Sequence, residues 1–164
     1  MAEDTSAVNT RAAAISLDAR LQAAGIMQEL VVDVTNLSLQ GKQAHWNLRG
    51  RSFRALHLQL DELVDVARDG SDVLAERLLQ LGVAADGRPA TLVRDSHLDE
   101  LPEGRLDDHR VVDLVVERLE TVSQVARSRL AQLGDLDPVS QDLVIEVLEG
   151  LEKQLWMFEA HREE

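Results

Sequence analysis

The sequence predicts an all-α fold: four long helices packed as a bundle, with one long connection between the second and third. Three observations predict it. Apolar residues recur at three- and four-residue steps in four separate segments. Aromatic residues make up only 2% of the 164-residue chain, with no Tyr, while Leu, Ala, Val, Glu and Arg abound, a balance that favours helix over sheet. One stretch, 83–106, breaks the periodicity with Gly87, Pro89, Pro102 and Gly104, and is too long for a tight hairpin.

The first helix is expected from about Leu17 to Leu48. Met27, Val31, Val34, Ser38, Gly41 and His45 recur on one face, with Leu30 and Leu37 beside them. Gly50 and Ser52 break it, and Ser52 is placed to cap the next helix. That second helix runs from about Phe53 to Leu81 on the stripe Leu56, Leu60, Leu63, Val64, Ala67, Leu74 and Leu78, and Gly82 ends it. The connection 83–106 has room for a short helix. The third helix starts at Asp107 or Asp108, buries Val112, Val115, Leu119, Val122, Ala126 and Leu130, and is expected to close at Gly134. The fourth opens at Asp137-Pro138, an Asp cap with Pro at the first helical position. Val144, Val147, Leu148, Leu151, Leu155 and Phe158 carry it to the C-terminus. Two helical pairs joined by one long crossover make the ferritin-like arrangement. Residues 1–16 are expected to be a flexible tail, and 17–162 the bundle.

Composition narrows the function. The chain has no cysteine, so disulfides and thiolate metal sites are excluded; any metal must be held by His, Asp and Glu. A formal net charge of −13 repels bare nucleic acid and attracts cations. No apolar run reaches the length of a membrane span. The start, MAEDTSAVNTR, lacks the basic and apolar parts of a signal peptide, so the cytoplasm is the expected location.

Five potential metal ligands fall within a short piece of chain: His45, His57, Asp61, Asp72 and Glu76. Taking His57 as zero and advancing about 100° per residue, Asp61 falls near 40°, Asp72 near 60° and Glu76 near 100°. All four occupy one stripe of the second helix, beside its apolar face. Along the axis, however, Asp72 lies about 22 Å from His57. One ion cannot bridge that distance. The stripe therefore splits into two half-sites, His57 with Asp61 and Asp72 with Glu76, each an i,i+4 pair. A two-fold axis that sets a second copy of the helix antiparallel joins each half to the other half of the mate, giving two identical intersubunit sites. His45, at the end of the first helix, is close enough to join the His57 half. Two imidazoles and three carboxylates suit iron or manganese, with zinc able to compete. Taken singly, Asp72 and Glu76 would be a solvated helix face, and His45 a partner for a helix C-terminus. Trp46 is expected to pack beside the site and keep it dry. The Glu-x-x-His motif of intrachain di-iron bundles is absent.

These residues resemble the Dps family of mini-ferritins. The likeness lies in K-Q-A-H-W-N at Lys42–Asn47, then Gly50, Phe53, Leu56-His57 and Asp61, D-x-x-A-E-R at Asp72–Arg77, and E-K-Q-x-W-M at Glu152–Met157. The resemblance implies a hollow homo-dodecamer with ferroxidase centres at its two-fold interfaces. His45, His57 and Asp61 would come from one subunit, Asp72 and Glu76 from its mate. Fe(II) would be oxidised there by hydrogen peroxide, or more slowly by O2, and stored as ferric mineral. It also implies acidic pores, for which Asp137 and Asp142, then Asp135, are the matching residues; Asp137 is equally well placed as a simple helix cap. Lys42 and Arg49 are given no role, and neither are His97, His109 and His161.

Some members of that family hold DNA through basic tails. Here the first sixteen residues offer only Arg11 against Glu3 and Asp4, and the end reads Glu159-Ala160-His161-Arg162-Glu163-Glu164. Iron oxidation and storage is therefore expected to be the function, with little or no DNA binding. A nucleoid-compacting protein with a secondary metal site is the alternative, and structural zinc in a helical bundle a third reading.

Overall fold

The computed structural model describes residues 15–162. It contains five helices: α1 (Leu17–Asn47), α2 (Phe53–Gln80), α3 (Pro89–Asp95), α4 (Asp108–Leu136) and α5 (Pro138–Glu159). The four long ones form the bundle: α1 packs on α2 and α4, and α5 on α4 and α2. The short α3 lies in the crossover and leans on α1. The expected all-α, ferritin-like bundle is what forms. The tail expected over residues 1–16 lies outside the described residues except for Ile15 and Ser16.

The core follows the apolar stripes. Met27, Leu30, Leu37, Leu60, Leu63, Leu78, Leu119, Leu151 and Phe158 are all at or below 1% exposed. Leu130, Val147 and Leu155, expected in the core, are partly buried at its margin.

Helix ends show where local chemistry acts. Ser16 caps α1 through a bond from the Ala19 amide at 3.2 Å, and Asp107 caps α4 through the Arg110 amide at 3.0 Å. At the end of α2, the Val83 amide reaches back to the Leu78 carbonyl and Gly82 to Leu79, the paired bonds expected there. Two expectations are corrected. Ser52 stands at the start of α2 but makes no side-chain cap; its amide instead donates to Asp108 Oδ2 at 3.0 Å. Gly134 does not end α4, which continues to Leu136. A Cβ at Gly134 would stand 2.6 Å from the Gln141 side chain, which donates to the Leu130 carbonyl. The glycine is there for close approach, not for termination.

One feature has no periodic signature. Leu48–Arg49 (β1) and Leu106–Asp107 (β2) pair as a two-residue parallel ladder, tying the end of the crossover to the α1–α2 turn. The rest of the crossover is held by a polar stripe on α1. Buried Asp33 accepts from Ser96 Oγ, the His97 amide and His97 Nδ1 at 2.7–2.9 Å. Asn36 donates to Ser96, and Gln40 to the Asp99 carbonyl. From α4, buried Arg118 donates to Gln40 and to the carbonyls of Leu114, Asp99 and Glu100. Among the described residues, no helix is long and apolar enough to cross a membrane.

Candidate metal centre

The α1–α2 connection is only five residues, 48–52, so the two helices form an antiparallel hairpin. The last turn of α1 therefore faces the first turns of α2, and His45 meets His57. Their rings stack with centroids 3.6 Å apart and planes at 21°. Phe53, one turn before His57, stacks on it with centroids 5.0 Å apart. His57 is thus held between two rings and has little rotational freedom.

The backbone fixes the protonation pattern. His45 Nδ1 lies 2.9 Å from the His57 carbonyl oxygen, and His57 Nδ1 lies 3.1 Å from the His45 carbonyl oxygen. A carbonyl only accepts, so each Nδ1 carries the proton. In a neutral imidazole the lone pair is then on Nε2, available to a metal ion; reciprocal bonds of this kind orient metal-binding histidines. His45 is 7% exposed, so its ring is shielded as well as oriented.

Asp61, one turn beyond His57, completes the cluster. One ligand atom from each of His45, His57 and Asp61 lies within 4.8 Å of the others, and among the described residues no other such group of three occurs. Lys42, on the turn of α1 before His45, pairs with Asp61 Oδ1; His45 Nδ1 is 3.3 Å from the same oxygen. The hydrogen bond from Lys42, against the opposing effect of burial and with help from the neighbouring histidines, holds the Asp61 carboxyl below its ordinary value. The group is an anion beside two lone pairs, a donor set for a divalent cation.

Asp72 and Glu76 do not join the cluster. Both are exposed, on the later turns of α2. Asp72 lines a hollow of about 460 Å³ with Val31, Thr35 and Arg68. Trp46 is 67% exposed and walls a groove with Leu39, Leu92 and Val93; within one chain it does not shield the site as expected. Of the acidic residues expected at a pore, Asp135 and Asp142 are exposed. Asp137 is 3% exposed. It caps α5, pairs with Arg77 at 2.6 Å and bonds to Ser140. This buried carboxylate, bonded through Oδ2, serves the turn, the capping role that its sequence position also allowed. Two residues given no role acquire one: Lys42 pairs with the Asp61 carboxylate, and His97 holds the crossover to Asp33. Neither had a signal in the sequence, because each depends on a partner from another element.

A family model described as a ferritin-like domain matches residues 25–164. DNA protection during starvation protein 2 of Deinococcus radiodurans is 36% identical over 134 residues, 82% of this chain; the match spans 56% of that longer protein. The DNA protection during starvation protein of Agrobacterium fabrum is 33% identical over 85% of this chain and 87% of its own length. Among solved structures, Dps from Microbacterium arborescens in its high iron form superposes with a TM-score of 0.85, at 32% identity, covering 89% of this chain and 95% of that one. The chain belongs to the ferritin-like superfamily, and within it to the Dps family.

Proposed function

We propose that this protein is a ferroxidase mini-ferritin: it oxidises Fe(II) at sites shared between two subunits and stores ferric mineral inside a dodecameric shell. One observation carries the reading. His45, His57 and Asp61 converge to a group that could hold a metal ion, while Asp72 and Glu76 stand farther along α2, about 16 Å or more from Asp61 along its axis. The first group is half a site, and a two-fold mate supplies the rest.

The chemistry follows from the donor set. Two neutral imidazoles and three carboxylates hold Fe(II) yet favour Fe(III), since added negative charge stabilises the higher cation. Two Fe(II) ions each give one electron to hydrogen peroxide; its O–O bond breaks, two protons are taken up, and two waters leave. Consuming Fe(II) and peroxide together suppresses hydroxyl radical. O2 is the slower oxidant. The apolar groove of about 650 Å³ lined by Leu39, Trp46, Leu92 and Val93 runs beside Lys42 and supports a docked mate, which would cover Trp46. Exposed Asp135 and Asp142 are the acidic residues proposed to draw iron inward.

The relatives' names speak of DNA protection. With −13 per chain, protection here is read as removal of iron and peroxide, not contact with DNA. Peroxide-dependent Fe(II) oxidation, followed by absorbance in the purified assembly, tests the reading. His57→Ala and Asp61→Ala should each slow it by at least about a hundredfold, the scale of losing a ligand's environment; unchanged rates would remove the assigned site. Solution mass near twelve chains is expected, and a monomer would contradict the shared centre.

A further inference from the structure

The stripe of α2 that carries His57, Asp61, Asp72 and Glu76 holds two more charges near its middle. Counted from His57 at about 100° per residue, Asp65 falls at about 80° and Arg68 at about 20°. Both are exposed. Neither side chain bonds to any described residue, and the two do not pair with each other despite their i,i+3 spacing. Other arginines on the flanks of the bundle are committed: Arg77 to Asp137, Arg127 to Glu152 and Arg129 to Glu29. Arg68 instead stands between two open hollows. It lines the one that holds Asp72, and also the apolar groove walled by Trp46.

Joining the half-sites fixes where a mate must lie. In an antiparallel pair of α2 helices, His57 aligns with Glu76 of the mate and Asp61 with its Asp72. The midpoint of His57 and Glu76 falls between Val66 and Ala67, and so does the midpoint of Asp61 and Asp72. The two-fold axis therefore crosses α2 there. The same symmetry sets Arg68 opposite Asp65 of the mate, and Asp65 opposite the mate's Arg68, each about 2 Å from the axis measured along the helix. The patch is thus self-complementary, as an isologous contact requires. Arg68 is also the only cation of α2 between Asp61 and Asp72. Without it, two stripes of carboxylates would face and repel each other.

We propose that Arg68 of one subunit pairs with Asp65 of a second copy of this chain, and the converse, so that two reciprocal ion pairs flank the two-fold axis. They hold each His57–Asp61 half-site against an Asp72–Glu76 half-site. Both are positioning residues: they set the alignment of the ligands and do not touch the ion. The inference rests on the shared centre proposed above. Facing charges at such an interface act mainly on which surfaces meet and how they align, and a like-charge pair there is costlier than on an open surface.

Charge exchange between two full-length chains tests this. Asp65→Arg places like charges across the axis of a homodimer, and so does Arg68→Asp. Each alone should weaken two-fold association by at least about tenfold, read by sedimentation on dilution, and Fe(II) oxidation should fall with it. Both positions are exposed, so circular dichroism should show the parent's helicity in each variant. Refolded together in equal amounts, the two variants should form mixed pairs with opposite charges facing, and recover mass and oxidation to within about twofold of the parent. Within each chain of that mixture, positions 65 and 68 still carry like charges, so the recovery comes from across the interface. Suppose the parent assembles and oxidises Fe(II). Single variants that match it, or a mixture that does not recover, then overturn the ion pair and leave the shared centre standing. A monomeric parent overturns the shared centre and the pair with it.

Discussion

The ammonium of Lys42 rests on the carboxylate of Asp61, the anionic member of the His45–His57–Asp61 group. The pair joins α1 to α2 a single turn from each histidine. Lys42 thus holds the place that a metal cation would take next to Asp61. An incoming ion must displace it or share the carboxylate.

Lys42→Met is therefore expected to tighten binding of a redox-inert dication. Exposed ion pairs are weak, so the gain should be modest, about two- to fivefold. A Co2+ titration followed by its visible bands measures it. Equal or weaker binding in the variant would show that Lys42 orients Asp61 for the metal and does not compete with it.

A centre shared between two subunits, as proposed, makes a second prediction that no single-subunit site can satisfy. His57→Ala and Glu76→Ala should each abolish fast Fe(II) oxidation. In a mixed dimer of the two, one site carries both changes and the other carries neither. Unfolding and refolding an equal mixture should then restore about a quarter of the parent activity, by statistical pairing across the two-fold interface. No recovery, in a mixture that refolds to the parent mass, would mean that Glu76 serves the same subunit's His57.

Much of this was legible in the sequence, and what was not has physical reasons. The helices were readable because each buries a stripe with period near 3.6, as Leu56 through Leu78 shows. The His45–His57–Asp61 group was readable because helical spacing fixes which side chains share a face. The stripe Asp33, Asn36 and Gln40 was not, because polar residues at helical spacing usually face water; here they face the crossover. The β1–β2 ladder was invisible, since two residues cannot display a period of two. Gly134 was misread because a helix-ending glycine and a close-approach glycine look alike until Gln141 is seen against it.

Asp137 tests the turn between α4 and α5. Burial alone would raise its carboxyl, but hydrogen bonds from Arg77 and Ser140 outweigh that and hold it below the ordinary carboxylate value. A folded pKa below the unfolded one contributes stability at higher pH, and that contribution fades as protons bind the folded form. The contribution should be complete above about pH 5 and lost progressively as pH falls below about 4. Asp137→Ala removes a helix cap and leaves the partly buried Arg77 without its carboxylate, bonded only to Ser140 and Gln80, a loss of about 2–4 kcal/mol. Denaturant unfolding of the variant at pH 7 measures the loss. The gap between parent and variant should narrow progressively as pH falls below about 4; a gap that does not narrow would assign the effect to packing and not to charge.

Gly50 tests how the α1–α2 turn supports the metal group. Its φ is +138°, a region that side chains rarely enter. A Cβ there would come within 2.2 Å of the Asp108 carboxylate, whose Oδ2 accepts the Ser52 amide at the start of α2. Gly50→Ala must therefore twist the turn and displace Asp108, with a loss of about 1–3 kcal/mol from backbone strain alone. Because His57 lies on the second turn of α2, the shift should also disturb its stack on His45. Weaker Co2+ binding together with a lower melting temperature is the expected result. Asp108→Ala separates the two causes: it relieves the clash, so the double variant should regain part of the Co2+ affinity that Gly50→Ala loses. Affinity equal to the parent in Gly50→Ala would mean that the histidine pair is held by its reciprocal carbonyl bonds without help from the turn.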